Sequence, residues 1–459
     1  MATTVTSIGS NQNIDTAVPS TTSGSGPLYD ITWNKTLSTS VAIGDLATAT
    51  DFTSGAYVYL ITAISGSTYT LKYISGAGGD QSPADLCDDS YCSTPPTFTF
   101  KRAFSTITLF EAMVDDASPS YWGSTDDVVG ELHADSNFTD NTVNFNQKQS
   151  LSSVTLSVYE DDRHDGTAES GALWKPTTGS GHNVGILVMN VDDMTAEWLD
   201  ISADSLDSTN TNKFIVLGAN CNNNIIRNNL LHDKGGNPGN TGPQGIYNSG
   251  AGASSDSIYV LNNIIYNLVE TNNDSAAGML FTLWAGNAYV YNNTVYNVQG
   301  TGSGKHGIAI RFGNVASSNT RIKNNIASKC EGASATNNRA YWKNASGSTA
   351  ETANNLSDDT SNATYNAEDM GQNLNDSSAL IGKTAAEIAF VSTSAGSEDL
   401  HIQDSSVCSK AGVDLGTTNE VNIDINAFDR DGGGVTWDIG AHQVSRASTG
   451  NPAFFMFID

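Results

Sequence analysis

The stretch IIRNNLL, residues 225–231, returns along the chain as VLNNIIY (260–266), VYNNTVY (290–296), RIKNNIA (321–327) and TANNLSD (352–358). The first asparagines of the five pairs, Asn228, Asn262, Asn292, Asn324 and Asn354, are separated by 34, 30, 32 and 30 residues. A near-fixed period marks a repeat architecture. The apolar residues around each pair alternate or run in short β-branched stretches bounded by Gly, Asn and Ser, so each repeat is built of strands. Such a turn is too short for a propeller blade and lacks the helix of a leucine-rich repeat. It suits a coil of two or three short strands, stacked on its neighbours at about 4.8 Å. Asparagine tolerates the left-handed backbone that a sharp corner requires. Identical side chains in register can also form a hydrogen-bonded ladder.

The pattern continues upstream in degenerate form. AEWLDIS (196–202) places Trp198 and Leu199 where a pair is expected, and SVTLSVY (153–159) reads as an earlier rung. On these motifs the chain resembles the right-handed parallel β-helix repeat proteins, the superfamily of pectate lyases and phage tailspikes, over roughly residues 125–445. The resemblance implies an all-β, single-stranded solenoid and leaves activity open, because one fold hosts many functions.

Outward from the repeats, residues 1–98 read as an N-terminal arm, a small antiparallel β-domain and a linker that together could attach the protein to a partner. The alternating runs 57–64 and 68–74, joined by Ser65-Gly66-Ser67, predict a β-hairpin in that domain. Residues 99–124 contain a capping helix, with Thr108 and Glu111 read as its capping box and the open bottom of the solenoid as its seat. The β-helix is assigned to 125–445. Within it, DINAFDRDGGGVTWDIGAHQ (424–443) resembles the closing segment of many bacterial β-helix proteins, expected to seal the top. Residues 446–459 form an apolar tail.

With 49 acidic and 21 basic residues the net charge is −28. That argues against a nucleic-acid partner, since phosphate binding needs a clustered basic surface. Cys87 and Cys92 are near enough to bridge, but five scattered cysteines do not read as a disulfide or metal framework. The opening residues MATTVTSIGSNQNID lack a basic stretch followed by an apolar core, and no long apolar segment follows. The expectation is therefore a protein made in a host cytoplasm, with no membrane partner. The sequons at Asn34, Asn137 and Asn293 are expected from composition.

Candidate chemistry is sparse. Lys305, His306 and Arg311 form the densest basic cluster in the repeats, with Glu270 and Asp274 one coil earlier, and a polysaccharide lyase needs a base beside carboxylates. A hydrolase needs two carboxylates, for which Asp233, Asp256, Glu270 and Asp274 are candidates. EDDRHDG (160–166) reads either as a metal or active loop or, more simply, as a network of Arg163 with Asp161 or Asp165. Asp429 and Asp431 read as a tight turn. Trp284, Tyr289, Tyr291 and Trp342 could stack on sugars, although Tyr289 and Tyr291 are expected to pack in the core. Catalytic and glycan-binding residues stay unassigned, and no metal or cofactor is expected. The reading is a bacteriophage virion protein, a tailspike, fibre or head-decoration protrusion. It would form a homo-oligomer, with a trimer favoured, and contact other virion proteins and host surface glycans. A polysaccharide lyase or glycoside hydrolase is the alternative.

Overall fold

In the computed structural model, the described residues are 3–17, 19–25, 28–33, 35–51, 55–75, 97–116, 122, 125–178, 184–206, 213–235, 242–248, 250, 253, 255–271, 274–282, 286–312, 320–334, 338–343, 350–359, 378–431 and 436–445. Trp284, Cys87, Cys92, Asn34 and the apolar tail lie outside them. The chain forms two compact units, the first essentially residues 1–225 and the second essentially 226–459.

The first unit is a stack of parallel rungs with an antiparallel sheet inserted. Thr3–Ile8 pairs in parallel with Asp127–Leu132, which pairs with Ser153–Val158, which pairs with Met194–Glu197. Residues 3–8, expected in an extended arm, are thus the first rung. Thr4, Thr6 and Ile8 share the buried face of this strand, while Val5 on the other face is only partly covered. The chain then leaves to build an antiparallel sheet that includes the predicted hairpin, Gly55–Ser65 with Thr68–Ser75. It returns beside its exit point, where the Gly9 N–H donates to Phe104 O at 2.9 Å and the Arg102 N–H to Asn11 O at 3.1 Å. The inserted sheet has its own core around Trp33, Tyr59, Phe98 and Phe100.

A buried ionic knot ties the insert to the stack. Arg102 Nη1 reaches both oxygens of Asp45 at 3.0 and 3.1 Å, while its Nε and Nη2 hold Asp135 at 2.9 and 3.0 Å. The Arg102 and Asp45 side chains are 3% and 0% exposed.

Helix Ile107–Asp116 follows. Phe110 is fully buried, packing edge-on against Phe104, Trp122 and Phe145. A side chain at Gly130 would strike its ring. The helix therefore plugs the interior of this stack. Its cap differs from the expected one. Thr106 Oγ1 accepts the Leu109 N–H at 3.2 Å, whereas Thr108 Oγ1 bonds Asp140. Glu111 faces Asp115 one turn on, and burial together with that like charge pushes its carboxyl to about 7 from 4.5. A raised carboxyl favours the protonated native state, so its contribution is fullest below pH 4.5 and is lost as pH rises through 7. Glu111→Gln is expected to gain about 1 kcal/mol at pH 8, allowing for solvent screening of a half-buried group, and nothing near pH 4. Urea melts at the two pH values measure this.

In the second unit each coil contributes one strand to each of three parallel sheets. Ser257–Leu261, Asn287–Tyr291, Thr320–Lys323 and Ala350–Ala353 stack in the first sheet. Leu230–Lys234, Ile264–Glu270, Thr294–Gly300 and Ile326–Gly332 stack in another. Ala276–Phe281, Gly307–Phe312 and Asn338–Lys343 stack in the third. The asparagine pair turns the corner between the first two, and its two members do different work.

The first asparagine of every pair is left-handed, with φ between 52° and 57°. The second points inward and builds the ladder. Asn229, Asn263, Asn293 and Asn325 each donate Nδ2–H to Oδ1 of the asparagine in the next coil at 2.9–3.0 Å. The same oxygens accept the backbone N–H groups at 3.0–3.1 Å. Upstream, in the first unit, Trp198 takes the left-handed corner position (φ 60°) and Leu199 the buried one, as AEWLDIS implies.

The segment expected to seal the top lies elsewhere. Residues 411–431 and 436–441 run along the flank of the second unit's coils, against the corners and the outer face of the second sheet. The Gly440 N–H donates to Asn324 O at 2.7 Å, and a Cβ at Gly440 would lie 2.5 Å from Ile326 Cδ1. Its φ of +98° demands glycine as well.

Candidate functional site

Among the described residues, a group of titratable side chains converges on the outer face of the first unit's parallel rungs. Strand alternation puts Val128, Gly130 and Leu132 inside and Glu131 outside. Register then places Ser157 beside Glu131, and Ser157 Oγ–H donates to Glu197 Oε1 on the following rung at 2.8 Å. Glu131 and Glu197 are two strand spacings apart, about 10 Å. Burial pushes the Glu131 carboxyl above the ordinary range; His133 and Arg163 oppose that shift, and Glu197 and Glu160 add to it.

His133 is buried and stacked on Tyr159 at 4.6 Å between centroids. Its Nδ1 lies 3.3 Å from Asp162 Oδ2, and its Nε2 has no hydrogen-bond partner among the described residues. Burial works against the Asp162 carboxylate, yet hydrogen bonds from His133 and the Ala134 N–H hold it below its usual range. Arg163 does not pair with Asp161 or Asp165. Its Nε–H donates to Val158 O at 3.3 Å and its guanidinium lies 4.7 Å from the Trp198 ring. Asp165 Oδ1 instead accepts the Thr167 N–H. A half-buried carboxyl biased toward its protonated form, beside a second carboxyl and two basic side chains, is a proton-donating arrangement.

The second unit brings part of the expected cluster together. The Arg311 guanidinium lies 4.1 Å from the Trp342 ring, and His306 meets the same ring edge-on at 5.0 Å. Burial pushes Arg311 below its usual value, and Asp274 opposes this. Asp274 Oδ2 also accepts the Gly242 N–H at 3.2 Å. Glu270, fully buried, pairs in register with Gly300 in another sheet.

The hydrolase candidates Asp233 and Asp256 are structural. Asp233 is left-handed (φ 61°) and bonds His232 and Asn267, while Asp256 Oδ2 caps its own turn at Ala253 N. Asp429 bonds Asn422 and the Asp431 N–H, closing the expected turn.

Tyr289 and Tyr291 face outward, not into the core, because Ala288 and Val290 take the buried face. Tyr259 and Tyr289 stack with parallel rings at 4.7 Å, and Arg321 lies 5.2 Å from the Tyr289 centroid. Tyr259 and Tyr291 also pack against the buried cluster of Leu261, Val421 and Trp437. The sequon asparagine Asn293 is fully buried in the ladder, whereas Asn137 is exposed. Among the described residues no group of His, Cys, Asp and Glu could hold a metal ion, and no helix is long and apolar enough to cross a membrane.

No family model, no curated protein and no solved structure matches this chain.

Glu131 and Glu197 carry the charge of the best cluster and stand out in no motif. Only the alternation of DVVGEL and the position of AEWL one rung later could have paired them. A second repeat position also went unnoticed. Asp233, Asn267, Asn297 and Lys329, each five residues after a first asparagine, are all left-handed, and Asn267 and Asn297 bond down that column at 2.7 and 2.6 Å.

Proposed function

We propose that this chain is a structural surface protein of a bacteriophage virion, a spike, fibre or head-decoration protrusion that presents its parallel stack to host glycans. The observation that carries the reading is the buried Arg102–Asp45–Asp135 knot. It fixes an independently cored antiparallel module to the first rungs of a solenoid, the construction expected of a base joined to a presenting shaft. The resemblance to tailspikes supports the virion assignment, and such proteins assemble as oligomers, a trimer being favoured. Immunogold labelling of phage particles with antibody against the purified chain tests it. Gold on heads or tails is expected; bare particles in a reactive lysate overturn it. Attachment through the module is tested by replacing residues 12–101 with a short glycine linker, which the neighbouring Asn11 and Arg102 backbones permit. Deleting everything up to residue 80 would also remove the first rung. The linker variant is expected to keep the stack and lose incorporation into particles.

A second reading, a glycoside hydrolase, is favoured by Glu131 and Glu197. Glu131 would donate to the glycosidic oxygen while Glu197 activates water; their strand spacing of about 10 Å lies just beyond the carboxyl separation of about 6.5–9.5 Å used by inverting enzymes, which side-chain placement would have to close. On that reading Glu131→Gln and Glu197→Gln each lower release of reducing ends from host polysaccharide at least ~100-fold, with melting unchanged.

A further inference from the structure

The outward asparagines meet one continuous partner. Asn228 Nδ2–H donates to Ile423 O and Asp424 O at 3.1 and 2.6 Å. Asn262 reaches Val421 O and Ile423 O at 3.2 and 2.8 Å, and Asn292 reaches Val421 O at 3.1 Å. Asn324 both donates to Val413 O and accepts its N–H, at 2.8 and 2.9 Å, and Asn354 donates to Ala411 O at 2.6 Å. Every coil from first to fifth therefore holds the main chain of the same strap, which runs from the fifth corner back to the first. The strap is folded into turns and tied along its length: the Gly412 N–H donates to Trp437 O at 2.8 Å, the Gly416 N–H to Asp414 Oδ1 at 2.8 Å, the Val421 N–H to Thr418 O at 3.3 Å and the Arg430 N–H to Asn422 O at 2.8 Å. The segment behind it is bonded to itself in turn. Fully buried Arg430 donates to Asp438 O, Gly440 O and Gln443 Oε1, and Asp424 accepts the N–H groups of Asn426, Phe428 and Gln443.

We infer that the row of outward asparagines is a binding site for the chain's own residues 411–424, and that this strap is a clasp coupling the first coil directly to the fifth. A solenoid without such a tie is coupled only between nearest neighbours, so its ends open independently. A strap tied along its length and gripped at both ends makes opening of one end release the other. The grips contact main-chain atoms of a segment folded into turns, with a 3-10 turn over Thr418–Glu420 and left-handed Gly416, Asn419 and Glu420, so the site selects that backbone shape rather than particular side chains.

Hydrogen exchange by mass spectrometry on the full-length chain tests the clasp. Asn228→Gly keeps the left-handed corner and deletes one grip at the first coil. Exchange in 350–357, at the far coil, is expected to accelerate at least ~10-fold, matching the change in 226–234. Acceleration confined to 226–234 and its neighbour 257–270, or none anywhere, overturns the clasp. If Asn228→Gly does not fold, Asn354→Gly read at 226–234 applies the same criterion from the other end.

Discussion

Replacing Asn293 by alanine is expected to cost about 3–5 kcal/mol in urea unfolding, because it orphans several buried groups at once. The Asn293 side chain accepts from the Asn263 N–H and Nδ2–H, and donates to Asn325 Oδ1, Val260 O and Tyr291 O, all at 2.9–3.0 Å. It is fully buried, so water cannot replace those partners. Its neighbour Asn292 supplies the contrast. Asn292→Ala loses the bond to Val421 O and the one accepted from Asn324 Nδ2–H, and places alanine in a left-handed position, for roughly 2–3 kcal/mol. Asn293→Asp adds a pH signature. It keeps the shape, loses the Nδ2 donor and must bury a charge, so its deficit is largest at neutral pH and shrinks in acid as the carboxyl regains a proton. Equal losses at positions 292 and 293 would contradict the division of labour within the pair.

Arg102→Met is expected to be comparably damaging, about 3–5 kcal/mol, by leaving Asp45 as an uncompensated buried charge. Burial already holds the Asp45 carboxyl above its ordinary range against the pull of Arg102, and removing the guanidinium raises it further. A carboxyl raised in the native state lowers stability as pH climbs through its folded value, and the loss disappears below the unfolded value of 3.8. The deficit should therefore be full at pH 7 and small below about pH 4. Adding Asp45→Leu to Arg102→Met should recover part of it at pH 7, because an apolar pair removes the stranded charge. Denaturation followed by tryptophan fluorescence reads both variants, and a pH-independent deficit would rule out the ionic account.

The asparagine pairs made the second unit legible, because a corner and a ladder both restrict the residue type at fixed spacing. The sequence could not say which member did which. Adjacent residues at a sharp corner point to opposite sides of the chain, and the outward side finds its partner only in a segment about 60–200 residues away. The same non-locality hid the candidate cluster. Glu131 lies in no repeat motif and Glu197 in AEWLDIS, and only the register of three rungs brings them onto one face. The flank position of 411–431 and 436–441 was missed because a Gly- and Asp-rich stretch encodes tight turns without encoding the surface they rest on. Tyr289 and Tyr291 were expected inward, whereas Ala288 and Val290 take the buried face, because alternation fixes which residues share a face without fixing which face is inside.

The pairing of residues 3–8 with 127–132 also sets a timetable for biosynthesis. At about 5–20 residues per second, the first rung waits on the order of ten seconds after emerging before its parallel partner leaves the ribosome. During that wait the inserted antiparallel sheet can complete itself, since its strands are mostly close in sequence. The nascent chain thus carries an unpaired strand tethered to a folded module, and the four threonines and serines of Thr-Thr-Val-Thr-Ser-Ile keep that strand polar enough to wait in water.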